Sequence, residues 1–445
     1  MGKQLTRREF LKTSAAASGA TIAAPSILSA QSPNNTVRLA GIGVGGKGWT
    51  DIRKASKFGK VVAVCDVDSG GDRAGYKRAK KKWPDARVYR DMRKLFDEEH
   101  NNIDAVTITT PDHMHAYATM RALKQGISPY TQKPLTRTVH EARALRRAKE
   151  QTGLATQMGN QHHSGAGYRQ LVKTIRQGYI GKVKRAHTWS NRPIWPQGMK
   201  RPDGSDPVPD DLDWNLWLGT APERPFKKDV YHPFKWRGWY AFGAGALGDM
   251  GCHIIDPVVW ALELGPASSV SYEGPNPMPE TFPKWEILTY TFPGTGYTAG
   301  DEFTMTWHDG GKKPSTKNSH IPDNKSIPGN GSMFVGEEGT LLCGHGARPK
   351  LYPREKYKQV DLPGAKGLNH YKQWINGIKN DEDPNSNFSY AGPLTETVLL
   401  GVIASRIGSG TELKWDSQNL RFTNSRKANQ YIREEYRDGW KIKGL

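Results

Sequence analysis

A glycine-rich turn directly after a short apolar strand constrains this chain more than any other feature. Residues 37–40 form the strand, and Gly41, Gly43 and Gly46 follow with the spacing G-x-G-x-x-G, with a further glycine at Gly45. Such glycines permit a tight turn, let the backbone approach a pyrophosphate and let the next helix pack closely, with its N-terminus facing the phosphates. The pattern predicts that the fold begins with a dinucleotide-binding unit.

A second apolar run ends in a carboxylate at the spacing that this unit requires. Residues 60–65 are nearly all apolar, and Asp66 follows Gly46 by twenty residues. A carboxylate at this position accepts hydrogen bonds from the adenosine ribose hydroxyls and repels a 2′-phosphate. The sequence therefore predicts NAD as the cofactor in preference to NADP.

Strand-like and helix-like segments alternate through the first third of the chain. Apolar runs near 103–110 and 127–131 are separated by a helical stretch near 116–125. Regular alternation predicts a doubly wound parallel sheet with ligands at its C-terminal edge. Because the 445 residues exceed one ordinary core, we predict an α/β protein with a Rossmann domain over 34–160 and a second domain over 161–445.

Composition and motifs exclude several other classes of protein. Cys65, Cys252 and Cys343 are far apart, so neither a disulfide framework nor a cysteine-rich zinc site is available. His113 and His115 are too small a cluster for a metal site, and we predict none. The net charge of +20 favours anionic surroundings, but no DNA- or RNA-binding motif accompanies it, so we expect no nucleic-acid partner.

The first thirty residues match an export signal. Arg7 and Arg8 precede a weakly apolar stretch that ends near Ala30, which is the twin-arginine pattern. The stretch is too short and too rich in serine and threonine for a membrane span. We expect residues 1–30 to be a signal peptide and the protein to be periplasmic or secreted, exported in its folded state. Because soluble NAD is not expected to be plentiful there, we also expect the cofactor to be tightly bound.

Four motifs together resemble the Gfo/Idh/MocA oxidoreductases, which include glucose–fructose oxidoreductase and inositol dehydrogenase. They are the glycine turn with Asp66, the strand end Thr110-Pro111-Asp112-x-x-His115, the pair Lys133-Pro134, and Asp249-Met250-Gly251-Cys252-His253. The resemblance covers almost the whole chain after the export segment. It implies a Rossmann domain followed by an α/β domain whose open, mainly antiparallel sheet makes a homo-oligomer contact.

The resemblance also implies roles for individual residues. Lys133, Asp249 and His253 are the implied catalytic groups. The implied cofactor contacts are the glycine turn, Asp66, Thr110, Pro111, His115, Gln132 and Asn160. One position departs from the family, because the usual Glu-Lys-Pro reads Gln132-Lys133-Pro134 here. With one carboxylate fewer, we expect the charged form of Lys133 to be less favoured than in relatives that carry the glutamate.

These residue types suit hydride transfer from a secondary alcohol, which needs a base for the hydroxyl proton and a cation or donor for the developing alkoxide. His253 suits the first task because the ordinary pKa of histidine lies near neutrality. Lys133 suits the second as a mobile point charge. Asp249 precedes His253 by one helical turn, so it can orient the imidazole or bind a substrate hydroxyl.

The segment from 189 to 240 is unusually rich in tryptophan and proline. Indole faces beside arginines suit the apolar faces and hydroxyl groups of sugars. The candidate substrate contacts are Arg192, Trp195, Trp236, Arg237 and Tyr240. A role of the aromatic residues in clamping long loops, or in a subunit contact, fits the same sequence equally well.

The sequence thus predicts an exported NAD-dependent oxidoreductase that acts on a secondary hydroxyl or keto group of a carbohydrate or cyclitol. An alternative is an NAD-dependent glycoside hydrolase or lyase that oxidises the sugar transiently. A third is a sugar- and NAD-binding protein that has lost turnover.

Overall fold

A parallel sheet with the Rossmann strand order forms the first half of the fold. The computed structural model describes residues 36–70, 75–322 and 324–445, so the predicted signal at 1–30 lies outside the described residues. Six strands pair in parallel, as the alternating pattern predicts, and the structure gives their order as β3-β2-β1-β4-β5-β6. They are β1 (Arg38–Ile42), β2 (Lys60–Cys65), β3 (Arg87–Tyr89), β4 (Ala105–Ile108), β5 (Ser128–Thr131) and β6 (Gln157–Met158).

Helices cover both faces of this first sheet. They are α1 (Gly46–Ala55), α2 (Gly75–Lys82), α3 (Met92–Glu99), α4 (His115–Lys124) and α5 (Val139–Thr152). One face packs against Leu95 and Phe96 of α3 and Tyr117 of α4. The other packs against Ile52 of α1 and Ala79 of α2. The strands therefore end at one edge with their loops free to build a site.

Local sequence signals explain where several helices begin and end. Helix α5 starts with a capping box between Thr138 and Glu141 and stops at Gly153, which has a φ of 70°. The side chain of Asp91 caps α3. Helix α1 differs, because its N-cap is Gly45 and no side chain caps it. The amide groups of its first turn are thus left for another acceptor.

A second, mainly antiparallel sheet forms the other half of the fold. Its nine strands follow the order β13-β12-β11-β7-β10-β9-β8-β14-β15. They are β7 (Val183–Trp189), β8 (Ser269–Glu273), β9 (Ile287–Pro293), β10 (Glu302–His308), β11 (Gly331–Gly336), β12 (Thr340–Gly344), β13 (Lys350–Tyr352), β14 (Glu412–Asp416) and β15 (Arg421–Phe422). Among the described strands of this sheet, only β7 and β10 pair in parallel. The predicted fold class is therefore confirmed for both sheets.

The later helices join the two sheets. They are α6 (Ala166–Arg176), α7 (Trp214–Leu218), α8 (Gly245–Ile254), α9 (Asp256–Leu262), α10 (His370–Asn380), α11 (Phe388–Ile407) and α12 (Arg426–Asn429). Helices α6, α8, α9 and α11 share a core with the second sheet. Helix α10 instead places Tyr371 and Trp374 in the core of the first sheet, and Trp440 packs on the opposite face of that sheet. Residues beyond 160 thus complete the first domain's core.

None of the helices in the described ranges is long and apolar enough to cross a membrane.

Candidate functional site

The glycine turn holds the backbone in a shape that needs glycine at more than one position. Gly43 and Gly46 have positive φ values of 71° and 45°, and a Cβ atom on Gly43 would lie 2.6 Å from the carbonyl oxygen of Thr109. The close helix packing that the sequence pattern predicts for Gly46 belongs to Gly48 instead. A Cβ on Gly48 would lie 1.7 Å from the Gly43 carbonyl oxygen, whereas a Cβ on Gly46 would have no atom of the described residues within 4 Å.

The glycine spacing therefore has two overlapping frames, and the geometry matches the second. Gly43, Gly45 and Gly48 repeat the G-x-G-x-x-G spacing two residues after the predicted frame. Gly41 lies within β1, where a Cβ would meet the Val44 side chain at 2.9 Å. The close packing of α1 thus depends on the later frame.

Asp66 lies at the end of β2, where the sequence predicts it, and accepts hydrogen bonds from the backbone of the glycine turn. Its Oδ2 accepts hydrogen bonds from the backbone N–H groups of Val44 and Gly45 at 2.9 and 3.1 Å, and its Oδ1 accepts one from Asp68 at 3.1 Å. Burial raises the pKa of Asp66, and these hydrogen bonds partly oppose the rise. A carboxylate oxygen can accept two hydrogen bonds, and Oδ1 of Asp66 accepts one from the described residues, so the group keeps capacity for a ribose hydroxyl.

These features fit a dinucleotide. The uncapped first turn of α1 offers N–H groups to a pyrophosphate, and the described residues leave space beside Gly46 in which the phosphates can approach the backbone. At the end of the neighbouring β4, the Oγ1 of Thr110 is buried and has no hydrogen-bond partner among the described residues. Unpaired buried hydroxyls are costly, so a bound group that pairs with Thr110 would remove that cost.

A charged cluster forms where β5 meets α8. Lys133 follows β5, and its Nζ donates to the backbone oxygen and to Oδ1 of Asp249 at 2.6 and 2.7 Å. The guanidinium groups of Arg192 and Arg237 reach the same carboxylate, each with Nε 3.4 Å from an Asp249 oxygen. Burial alone would raise the pKa of Asp249, but Lys133 and then Arg237 reverse this and lower it. Two predicted catalytic groups and two predicted substrate contacts therefore converge here.

His253 lies on α8 one turn after Asp249 and is buried. Its ring centroid is 5.2 Å from that of His345 and 6.2 Å from that of His162. Burial, followed by the charge of Lys133, holds the pKa of His253 well below its ordinary value. The imidazole is therefore a weaker base than the near-neutral pKa used in the sequence analysis implies. Burial together with His162 and Lys133 lowers the pKa of His345 to about 4. The imidazoles are thus neutral near pH 7, and Nδ1 of His253 is buried without a hydrogen-bond partner in the part of the chain that the structure describes.

Asp112 is a further site residue that the sequence motif contains but that was not assigned a role. It is buried in a turn at the end of β4. Burial raises its pKa to about 7, although Arg237 and Lys133 act to lower it. A carboxyl group poised near neutral pH is suited to proton transfer.

Gln132 contacts a carboxylate that the sequence analysis did not identify. Its Nε2 donates to Oδ2 of Asp51 at 2.9 Å, and its Oε1 accepts from the backbone N–H of Lys133 at 3.2 Å. Asp51 is fully buried on α1. It also pairs with Lys47 and accepts from Tyr371 at 2.6 Å. A negative charge is therefore present beside position 132, although the residue there is neutral.

Trp195 and Trp236 contact Arg237 instead of forming an open platform. They are 5% and 6% exposed, and the guanidinium carbon of Arg237 lies 4.2 Å from the Trp236 ring centroid, 4.7 Å from that of Phe234 and 5.9 Å from that of Trp195. In the described structure these indole rings support an arginine by cation–π contact, and sugar binding at them stays a prediction. The clamping alternative is also correct for Trp236, which belongs to an aromatic cluster between long loops.

Two predicted cofactor contacts, His115 and Asn160, bond to other parts of the protein. His115 joins the strand ends by contacting the backbone oxygens of Pro134 and Thr110 at 2.8 and 3.0 Å. Asn160 is fully buried and bonds to Asp256 and Ser386.

Tyr240, a predicted substrate contact, lies away from the Asp249 cluster, whereas Pro111, a predicted cofactor contact, lies at the strand end. Tyr240 packs against Phe282 and Arg406, apart from the Asp249 ion pairs. Pro111 directly precedes the Asp112 turn, at the strand end where the motif predicts it. Within the described ranges, no group of three or more His, Cys, Asp or Glu side chains is arranged to hold a metal ion.

Comparisons with known proteins agree with this architecture. The model of an oxidoreductase family, NAD-binding Rossmann fold, matches residues 37–160, and that of the same family's C-terminal alpha/beta domain matches residues 171–303. Inositol 2-dehydrogenase of Arthrobacter sp. is 32% identical over 170 residues, which are 37% of this chain and 48% of that protein. The 2,7-anhydro-N-acetylneuraminate hydratase of Mediterraneibacter gnavus is 26% identical over 34% of this chain and 38% of its own length. The matches thus span less than half of these relatives.

Solved structures share the fold over most of the chain. The WlbA dehydrogenase from Bordetella pertussis, in complex with NADH and UDP-GlcNAcA, has a TM-score of 0.58 at 15% identity, over 86% of this chain and 99% of that one. The aldose-aldose oxidoreductase from Caulobacter crescentus has a TM-score of 0.56 at 15% identity, over 85% and 100%. Together, the family models, the two-sheet fold and the nucleotide turn mean that this chain belongs to the Gfo/Idh/MocA family of oxidoreductases.

Proposed function

We propose that this chain is an NAD-dependent oxidoreductase that transfers a hydride between a bound nicotinamide and a secondary hydroxyl or keto group of a carbohydrate or cyclitol. The observation that carries the proposal is the contact between Lys133 and Asp249, 2.7 Å apart, at the C-terminal edge of a nucleotide-binding sheet. The identity to inositol 2-dehydrogenase points to the same substrate class.

The bound cofactor supplies the hydride acceptor, and the protein supplies charge and proton transfer. The Lys133 ammonium, fixed by two bonds to Asp249, stabilises negative charge on a substrate oxygen. His253 is held neutral by burial and can accept the hydroxyl proton at a ring nitrogen. Asp249 orients Lys133 and stays ionised, because the pKa of its carboxyl is lowered by the surrounding cations despite burial.

Asp66 supports a preference for NAD over NADP. Its carboxylate braces the turn at Val44 and Gly45, and a 2′-phosphate placed there would meet a second negative charge in a partly buried setting. The twin-arginine pattern at Arg7 and Arg8 supports export of the folded protein with its cofactor. A cofactor that is not replenished must be regenerated by a second substrate or within one turnover.

Two measurements test the proposal. Denaturing the purified protein should release nicotinamide cofactor in proportion to the chain. Adding sugars and cyclitols to the native protein should change the absorbance near ~340 nm, the band of the reduced nicotinamide. His253→Asn should slow that change strongly and retain the cofactor, while His100→Asn, on an exposed residue, should leave both unchanged. Cofactor release without any redox change across the panel would favour a binding protein.

A transient-oxidation glycosidase or lyase is a second candidate, favoured by Asp112. Simple hydride transfer needs one base, yet the site holds a buried carboxyl whose pKa burial raises to about 7, in addition to the neutral His253. Oxidising a ring hydroxyl to a ketone acidifies the neighbouring C–H, so a second base can remove that proton. The glycosidic C–O bond then breaks, the leaving oxygen takes the proton that His253 accepted from the hydroxyl, and an unsaturated ketone remains. In a hydrolase water adds across that double bond, in a lyase it does not, and the hydride and the proton held by the second base then return to the ketone. Release of a nitrophenol from its glycoside without net NADH would identify this reaction.

A further inference from the structure

We propose that the substrate carries an anionic group, a carboxylate or a phosphate, and that Arg192 and Arg237 bind it. The inference rests on the proposed function, because it names the class of carbohydrate that the same site accepts. Its basis is the balance of charge and the geometry of these two arginines around Asp249.

The site has more positive charge than its own carboxylate neutralises. Lys133, Arg192 and Arg237 each have Asp249 as their ion-pair partner, at 2.7, 3.4 and 3.4 Å, and among the described residues none of the three forms an ion pair with another carboxylate. Lys133 alone neutralises Asp249. Holding two more guanidinium groups beside a single carboxylate costs desolvation and mutual repulsion, so a second anion would be stabilised there.

Neighbouring titratable groups do not remove this excess. Asp112, the other carboxyl that interacts with Arg237 and Lys133, has its pKa raised to about 7 by burial, so part of it is protonated at neutral pH. His345 is neutral, because burial, His162 and the charges of Lys133 and Arg192 lower its pKa to about 4. The site is therefore cationic around neutral pH.

Both arginines also keep nitrogen donors free. Their Nε atoms lie 3.4 Å from Asp249, which is longer than an ordinary N–H···O hydrogen bond. Arg192 donates from Nη1 to Asn191, and Arg237 donates from Nη1 to the backbone oxygen of Phe234. Neither Nη2 atom donates to any described residue. Their side chains are 26% and 21% exposed, so both remain accessible to a ligand.

Aromatic contacts preorganise Arg237 for this task. The Trp236 and Phe234 rings lie 4.2 and 4.7 Å from its guanidinium carbon. A guanidinium held in a fixed plane loses little rotamer freedom when it binds an anion, and its donor pair matches a carboxylate or a phosphate. The tryptophans of the segment thus serve recognition indirectly, through the arginine they hold.

Calorimetric titration of the cofactor-bound protein separates the charge of the ligand from turnover. The probes are glucuronate and galacturonate, their neutral amides, glucose, and glucose 6-phosphate. We expect at least one acid or phosphate to bind about tenfold or more tightly than its neutral counterpart, equivalent to about 1.4 kcal/mol. Tighter binding of the phosphate than of the acids would identify phosphate as the anionic group.

Variants assign that preference to the arginines. Arg192→Gln and Arg237→Gln should each bring the affinity ratio of anionic to neutral ligand close to one. Arg421→Gln, which removes an arginine that is 61% exposed on β15, should leave the ratio unchanged.

Three results would overturn the proposal: equal binding of charged and neutral ligands by the unmodified protein, failure of every anionic probe to bind, or a preference that survives both substitutions. Because calorimetry needs no turnover, a protein that binds the acids but reduces no cofactor would contradict the proposed oxidoreductase activity alone.

Discussion

Replacing Gln132 by the glutamate that is usual in the family should lower the stability of this protein, because Asp51 already places a carboxylate beside position 132. Gln132 donates from Nε2 to Asp51 at 2.9 Å, and Asp51 is fully buried. In Gln132→Glu, two carboxylate oxygens would face each other about 3 Å apart. At an effective dielectric constant of about 20, their repulsion is about 5 kcal/mol, enough to raise the pKa of the introduced carboxyl by up to about 4 units.

The raised pKa of the introduced carboxyl makes the stability of Gln132→Glu fall as the pH rises. Near pH 4 the introduced carboxyl is protonated in the folded chain and largely so in the unfolded chain, so its penalty is small. As the pH rises, the unfolded chain releases this proton first, and the folded state of Gln132→Glu loses stability progressively toward pH 8. We expect a loss of about 3–5 kcal/mol at pH 8 relative to the unsubstituted protein.

Urea unfolding at pH 4.5 and pH 8 measures this difference. Gln132→Met is the matched control, since it removes the hydrogen bond without adding charge and should cost about 1–3 kcal/mol at both pH values. The double variant Asp51→Asn/Gln132→Glu has one carboxylate again and should recover most of the loss at pH 8. Equal stability of Gln132→Glu and the unsubstituted protein at pH 8 would refute the reasoning.

Three further predictions concern the turn, the site and the export signal. Gly48→Ala should abolish cofactor binding, because its Cβ would lie 1.7 Å from a backbone oxygen, whereas Gly46→Ala should cost only about 1 kcal/mol of stability for its positive φ; cofactor content after gel filtration compares the two. Asp112→Asn should become progressively more stable than the unsubstituted protein between pH 4 and pH 7, because the raised pKa of Asp112 makes folding lose stability in that window; thermal unfolding across pH checks this. Replacing Arg7 and Arg8 by lysine should leave the protein in the cytoplasm, as cell fractionation would show.

Strong local patterns made most of the first sheet predictable, and weak ones hid several other strands, among them β3 and β7. The apolar runs that became β1, β2 and β4 stand out because both faces of a parallel sheet are buried. Strand β3 was not predicted, since it is only three residues long and lies at the sheet edge. Strand β7 was not predicted either, because Lys184, Arg185 and His187 interrupt its apolar pattern on the face that is less buried.

Residues of the candidate site could be predicted where each lies in a short sequence motif. They could not be predicted where only the fold brings distant segments of the chain together. Lys133, Asp249 and Asp66 could be identified because each lies in a short motif with a known spacing. Asp51 and His345 have no such motif, and only the fold brings them to Gln132 and His253. The close-packing role predicted for Gly46 was wrong for another reason. Two overlapping sets of glycines satisfy the same G-x-G-x-x-G spacing, and only the backbone geometry distinguishes them.

Isotope transfer tests the central claim most directly. The protein with its cofactor is incubated with sugars that carry deuterium at their carbinol carbons, the cofactor is released by denaturation, and its mass is measured. The account predicts one deuterium on the nicotinamide for the unsubstituted protein and almost none for Lys133→Met that retains its cofactor. A cofactor without deuterium after incubation with every sugar that binds, or unchanged transfer in Lys133→Met, would contradict it.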